Sequence, residues 1–198
     1  MKAIIVVVLL LVCTAYAHAQ DSAELYQAEI IVFKQIDADL ELRQIQDISP
    51  LASEQNRERA TLDLYQTTAH SSVRAVPSNR LQLAAEAQRI ERDSRYQLLY
   101  HGAWQQPPYD RSRAPHINIL REPQNGLLKG TAWMGYGGYF KLLLDFQYDP
   151  DYDQASEVLD VPQTFSVPIS VDRIIAENKL FYIDHPIIGV ITLITKTQ

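Results

Sequence analysis

Histidines and carboxylates are the residues most able to do chemistry here, and their spacing is uninformative for catalysis. Beyond residue 19 the histidines are His70, His101, His116 and His185, and no cysteine follows Cys13. None of these histidines stands at a ligand spacing such as i, i+4, so no zinc site is expected. The run Asp149-Pro150-Asp151-Tyr152-Asp153, with Glu157 and Asp160 behind it, alternates carboxylates like part of a calcium loop. Gln154 stands where such a loop turns on glycine, so a solvated loop is the expectation. No Gly-x-Ser-x-Gly elbow occurs, and no sequence context pairs a serine with a histidine. Gly135, Gly137 and Gly138 do not lead from a strand into a helix, which makes them turn residues rather than a phosphate cradle. No pair of carboxylates is nominated for glycoside cleavage. The expectation is a protein without catalytic residues, metal or cofactor.

The chemistry that the residues favour is stacking and neutral hydrogen bonding. Eleven tyrosines and two tryptophans are present, and several sit beside amides. Flat rings stack on sugar faces, and amides satisfy hydroxyl and N-acetyl groups. The candidate ligand-binding patch is His101, Trp104, Gln105, Gln106 and Tyr109, with Arg173, Asp184 and His185 contributed by the closing strands. Trp104 alternates with Tyr100 along a strand and also reads as a core residue. Gln105, Gln106 and Tyr109, beside Pro107 and Pro108, are expected at the surface. Binding through this neutral patch should depend only weakly on salt. The segment Leu180–Val190 breaks a strand at Asp184-His185-Pro186. There Asp184 is expected to bond backbone amides across a structural bulge, the alternative being a ligand-facing Asp–His pair.

These residues must be held by a mainly antiparallel framework. Tyr26, Ala28, Ile30 and Val32 share one face of a first strand. Residues 37–77 are polar without a sustained period and read as a flexible loop or insertion, with a short helix near Ser53–Tyr65. A helix follows, with Asn79 as N-cap, Gln82 reaching back, Leu83, Ala87 and Ile90 on its apolar face, and its end near Asp93. In segment 95–105, Tyr96, Leu98, Tyr100 and Trp104 are expected on one face. A short strand covers Ile117–Leu120. A hairpin enters over Gly126–Trp133, turns over Met134–Gly138 and returns over Tyr139–Tyr148 with Phe140, Leu142, Leu144, Phe146 and Tyr148 on one face. Phe165, Val167, Ile169 and Val171 repeat the alternation, and Pro168 suggests an edge strand. Leu180–Ile183 and Ile187–Ile194 close the chain. The expected class is α+β: one domain over 20–198, an antiparallel sheet of five to seven strands with one main helix packed against it.

The first nineteen residues form a separate unit. Lys2, the apolar run Ile4–Val12 and the small-x-small site Ala17-His18-Ala19 have the order of a cleaved secretory signal. The run is shorter than the ~20 apolar residues that span a bilayer. Val12 before Cys13 argues against a lipid-modified cysteine. Cleavage after Ala19 leaves 17 basic against 24 acidic residues, no basic footprint for nucleic acid and no membrane anchor. Mass spectrometry of periplasmic protein should show a chain beginning at Gln20. An intact Met1, or a lipid on Cys13, would overturn this reading.

Four segments together resemble the CsiV family of periplasmic peptidoglycan-binding proteins. They are Tyr26–Phe33, Leu98-Leu99-Tyr100-His101-Gly102-Ala103-Trp104-Gln105-Gln106-Pro107, Gly130–Phe146 and Leu180–Val190. Arg173 is followed by Ile174, Ile175 and Ala176 where the family is typically rich in arginine, and Gln105 replaces a common basic residue. The resemblance implies a periplasmic location and a non-enzymatic role in wall assembly and cell shape. Peptidoglycan and wall-synthesis proteins are the implied partners. The competing readings are an adaptor for an envelope protein alone and a glycan-acting hydrolase.

Overall fold

The computed structural model describes residues 24–36, 61–63, 72–123, 126–150 and 166–197. The leader 1–19, His70, Phe165, the acidic stretch 151–160 and most of 37–77 lie outside the described residues.

Among the described residues, ten strands form two five-stranded sheets. The first has β1 (Tyr26–Gln35) at its centre, between β4 (Tyr96–Gln106) and β10 (Ile188–Lys196). Outside these lie β3 (Arg74–Ala75), beside β4, and β9 (Phe181–Asp184), beside β10. The second runs β2 (Thr61–Asp63), β5 (His116–Arg121), β6 (Gly126–Tyr136), β7 (Phe140–Pro150), β8 (Val167–Ile175). All pairings are antiparallel except that of β2 with β5. The expectation of one sheet of five to seven strands is therefore corrected. Alternating strands report that one face is buried, not which sheet covers it. The segment 37–77 is also not wholly a loop. Thr61–Asp63 is an edge strand where a short helix was expected, and Arg74–Ala75 pairs with β4. Two or three residues carry no readable period, and pairing alone makes them strands.

The second sheet shows the clean alternation expected. Phe140, Leu142, Leu144, Phe146 and Tyr148 are buried in the space between the sheets, while Lys141, Asp145 and Gln147 point away. The turn is tighter than expected: Met134 to Tyr136 belong to β6, and only 137–139 connect the strands. Pro168 lies on β8, an edge strand with that side chain exposed, so its missing N–H costs no inner ladder bond.

The first sheet is covered on both faces, which explains the run of eight buried residues from Tyr26 to Phe33. Tyr26, Ala28, Ile30 and Val32 join the core between the sheets, whereas Ile31 and Phe33 pack with Leu83, Ala87 and Ile90 of the helical segment. A bulge separates the two halves of β4: Val32 pairs with Tyr100 and Phe33 with Leu98, leaving Leu99 extra. Tyr96 and Leu98 consequently pack under the helix, while Tyr100 and Trp104 lie in the inter-sheet core. The expectation that all four share one face is wrong by that one inserted residue.

The helix α1 (Ala84–Arg92) starts later than expected, after a 3-10 turn over Ser78–Arg80, and ends at Asp93 as anticipated. Asn79 does not cap it. The carboxylate of Glu29, on the outer face of β1, accepts the backbone N–H groups of Gln82 and Leu83, each at 2.8 Å. Among the described residues, no helix is long and apolar enough to cross a membrane.

Candidate functional site

The nominated residues divide between the two faces of β4 because a strand alternates with period 2. His101 and Gln105 point outward, toward the start of the helical segment. His101 Nε2 donates to Glu29 Oε1 at 2.8 Å, and Gln105 Nε2 donates to Gln27 Oε1 at 3.3 Å. Gln27 Nε2 in turn donates to Glu29 Oε2 at 3.1 Å, closing a buried polar network. Burial raises the pKa of Glu29, but the hydrogen bonds from His101, Gln82 and Leu83 outweigh that effect and hold it below its ordinary value. The carboxylate is thus ionised, buried and used up as a structural acceptor.

Trp104 and Gln106 face inward. Trp104 is fully buried, and its Nε1 donates to Gln106 Oε1 at 2.7 Å. Gln106 Nε2 donates across to Met134 O at 2.8 Å. Gln106 was expected at the surface. It is buried because both ends of its amide have partners, which removes the penalty of desolvating it. Tyr109 is half-buried against the core, with its hydroxyl bonded to Ser72. These five residues do not form one surface.

Asp184 and His185 lie at the turn joining β9 and β10, where Asp184 pairs with Gly189. Asp184 does not bond the backbone amides across the break. Its Oδ1 accepts the Tyr182 hydroxyl at 3.0 Å, and His185 Nδ1 accepts the Ile187 N–H at 3.4 Å. Burial, aided by Asp184, pushes the Tyr182 hydroxyl up to about 12. Burial lowers the His185 pKa against the opposing pull of Asp184. His116 packs on Trp133, with ring centroids 6.5 Å apart. Among the described residues, no three of His, Cys, Asp and Glu come together as a metal-binding group.

Of the nominated set, Arg173 lines a cleft among the described residues. The cleft has a volume of about 520 Å³ and is walled by Arg111, Tyr139, Lys141, Asp172, Arg173, Ile174 and Phe181. The register shows how it is built. Gly135, Lys141 and Ile174 are directly paired across β6, β7 and β8. The loop after Pro108 crosses this row at Gly135, held by Tyr136 N donating to Tyr109 O at 2.8 Å. A Cβ on Gly135 would overlap the Trp133 ring and stand 3.1 Å from the Cα of Arg111, so the glycine makes room for both the indole and the loop. Asp110 Oδ1 accepts the N–H and the hydroxyl of Ser112, which shapes the turn that presents Arg111. The Arg111 guanidinium lies over the Tyr139 ring, 4.4 Å from its centroid. Lys141 pairs with Asp172 at 3.0 Å. Three cations face one carboxylate, a local excess of two positive charges on a chain of net charge −6.

A family model described as CsiV, peptidoglycan-binding protein, matches residues 3–197. The chain belongs to the CsiV family. No curated protein and no solved structure matches it. The CsiV resemblance seen in four segments thus extends over nearly the whole chain. Arg111, Tyr139 and Lys141 escaped the sequence reading because they come from a loop and a hairpin tip with no shared period. The available signal was the adjacency of two basic residues, Arg111 and Arg113, to a proline-bounded turn, and it named no partner.

Proposed function

We propose that this protein is a non-catalytic peptidoglycan-binding protein of the periplasm, released from its signal after Ala19, that supports wall assembly and cell shape. Membership of a family described as peptidoglycan-binding supports the ligand and, with it, a place in the cell envelope. The observation that carries the reading is the cleft. It joins cations to aromatic and apolar surface on an otherwise acidic chain, the combination that suits a sugar–peptide polymer bearing carboxylates. A non-catalytic role fits the use of the described imidazoles in packing, backbone bonding and the structural bond to Glu29.

Co-sedimentation of the purified protein with sacculi tests this. Wild type is expected in the pellet, and its absence there would overturn the reading. A second reading, an adaptor that binds only an envelope protein, is favoured by the exposure of Ile174, Leu180 and Tyr182 along the β8 and β9 edges. Retention of a partner protein without sedimentation on sacculi would support it.

A further inference from the structure

Arg111 holds an arrangement that its surroundings leave incomplete. Its Nε and Nη2 are both buried and both lack a hydrogen-bond partner. These two nitrogens form one edge of the guanidinium, with two parallel N–H donors, the fork that a carboxylate matches with its two oxygens. An unpaired buried donor of a charged group is costly, so such an edge is kept where something else completes it. The group is also positioned. It lies on the Tyr139 ring at 4.4 Å, and a Cβ on Gly137 would stand 3.3 Å from Nε. That Cβ would stand over the guanidinium face, so the glycine leaves Arg111 room to lie where it does.

The rest of the cleft narrows the ligand. Asp172, its one carboxylate, is paired with Lys141, so it does not neutralise Arg111. Arg173 Nη1 donates to the carbonyl of Asp172 at 2.9 Å, which leaves its positive charge uncompensated by an acid there. Tyr139 and Ile174, 44% and 57% exposed, add apolar surface beside the charges. A bare ion would leave that surface and most of the volume unused. An anion carried on a larger molecule with apolar faces would not.

We infer that the cleft is a carboxylate seat in which Arg111 forms the bidentate anchor, with Lys141 and Arg173 supplying field. Resting on the function proposed above, the carboxylate is a free one on the peptide of the wall polymer. The shielding of the fork from bulk water strengthens a charge-assisted pair there.

The test uses purified protein and two soluble muropeptides, one with free peptide carboxylates and one with those carboxylates amidated, followed by isothermal titration. The free acid is expected to bind at least ~10-fold more tightly than the amide, since losing a charge-assisted bidentate pair exceeds the energy of a tenfold step. Arg111→Ala should abolish the preference. Arg111→Lys should restore only part of it, because the charge returns without the fork. Gly137→Ala keeps every charge but presses on the guanidinium face and displaces the fork, so it should weaken the free acid selectively. It also decides the matter if Arg111→Ala fails to fold. Equal binding of acid and amide by wild type would overturn the inference, even with sedimentation on sacculi intact. Unchanged preference in both Arg111→Ala and Gly137→Ala would also overturn it. Stronger competition by inorganic phosphate than by succinate would overturn the assignment to a carboxylate. If wild type fails to sediment with sacculi yet binds succinate through Arg111, the wall reading falls and the carboxylate seat stands.

Discussion

Trp104→Ala is expected to lower the unfolding free energy by about 3–5 kcal/mol. The indole is fully buried between the sheets, so truncation leaves a large cavity. It also strips Gln106 Oε1 of its donor, and Gln106 is the side chain that reaches across to Met134 O on β6. Trp104→Phe retains most of the volume and isolates that polar loss, at about 1–3 kcal/mol. Urea unfolding followed by far-ultraviolet circular dichroism reads both values, since the substitution removes a fluorophore. A loss below about 1 kcal/mol for the alanine variant would show that the ring is not packed as described. The phenylalanine variant should still sediment with sacculi. Trp104, nominated from sequence as a sugar-stacking ring, acts in the structure as the tie between sheets.

The second large effect is expected at Glu29. Glu29→Ala removes the acceptor for two backbone N–H groups ahead of α1 and for His101, in buried and half-buried settings. Leaving these donors without an acceptor costs about 1–3 kcal/mol for each one that stays shielded from water. Glu29→Gln keeps one oxygen acceptor and should recover part of the loss. The pH dependence follows from the direction of the shift. The folded carboxyl has a pKa below its ordinary 4.5, so its stabilising contribution is present above that value. The contribution is lost as pH falls through the lower folded pKa. Asp93 is held down to about 2 by its hydrogen bonds to Arg95, and Asp110 and Asp149 are also lowered, so wild type alone cannot isolate Glu29. The measurement is the stability difference between wild type and Glu29→Gln in urea from neutral pH downward. It should shrink below about pH 4. A difference constant with pH would show that the carboxylate is not the titrating group.

What could be read from the residues depended on whether one face met water. β7 was legible because its neighbours alternate between core and solvent, from Phe140 to Tyr148. β1 was legible on one face only. Gln27 and Glu29 look like solvent residues in sequence, yet they lie beneath the helical segment, and nothing local announces a second layer. The start of α1 failed for a related reason. Asn79 is a sound local cap, but Gln82 N is capped by a carboxylate 53 residues away in the chain. The bulge at Leu99 could not be seen from hydrophobicity, since all of Tyr96, Leu98, Leu99 and Tyr100 are apolar. At the candidate site, Arg173 was reachable by reasoning about the closing strands. Arg111 required knowing that a proline-bounded loop crosses Gly135, a fact of register rather than of composition.

The central place of β1 sets the order in which the molecule can assemble. Its two neighbours are β4 and the last strand, and Thr197 N donates to Leu25 O at 2.8 Å across 172 positions of chain. β5, β6 and β7, by contrast, each pair with the next strand in the chain. Loop-closure entropy therefore favours early pairing of β5 through β8, while the first sheet waits for β10. A protein wired this way is slow to lock.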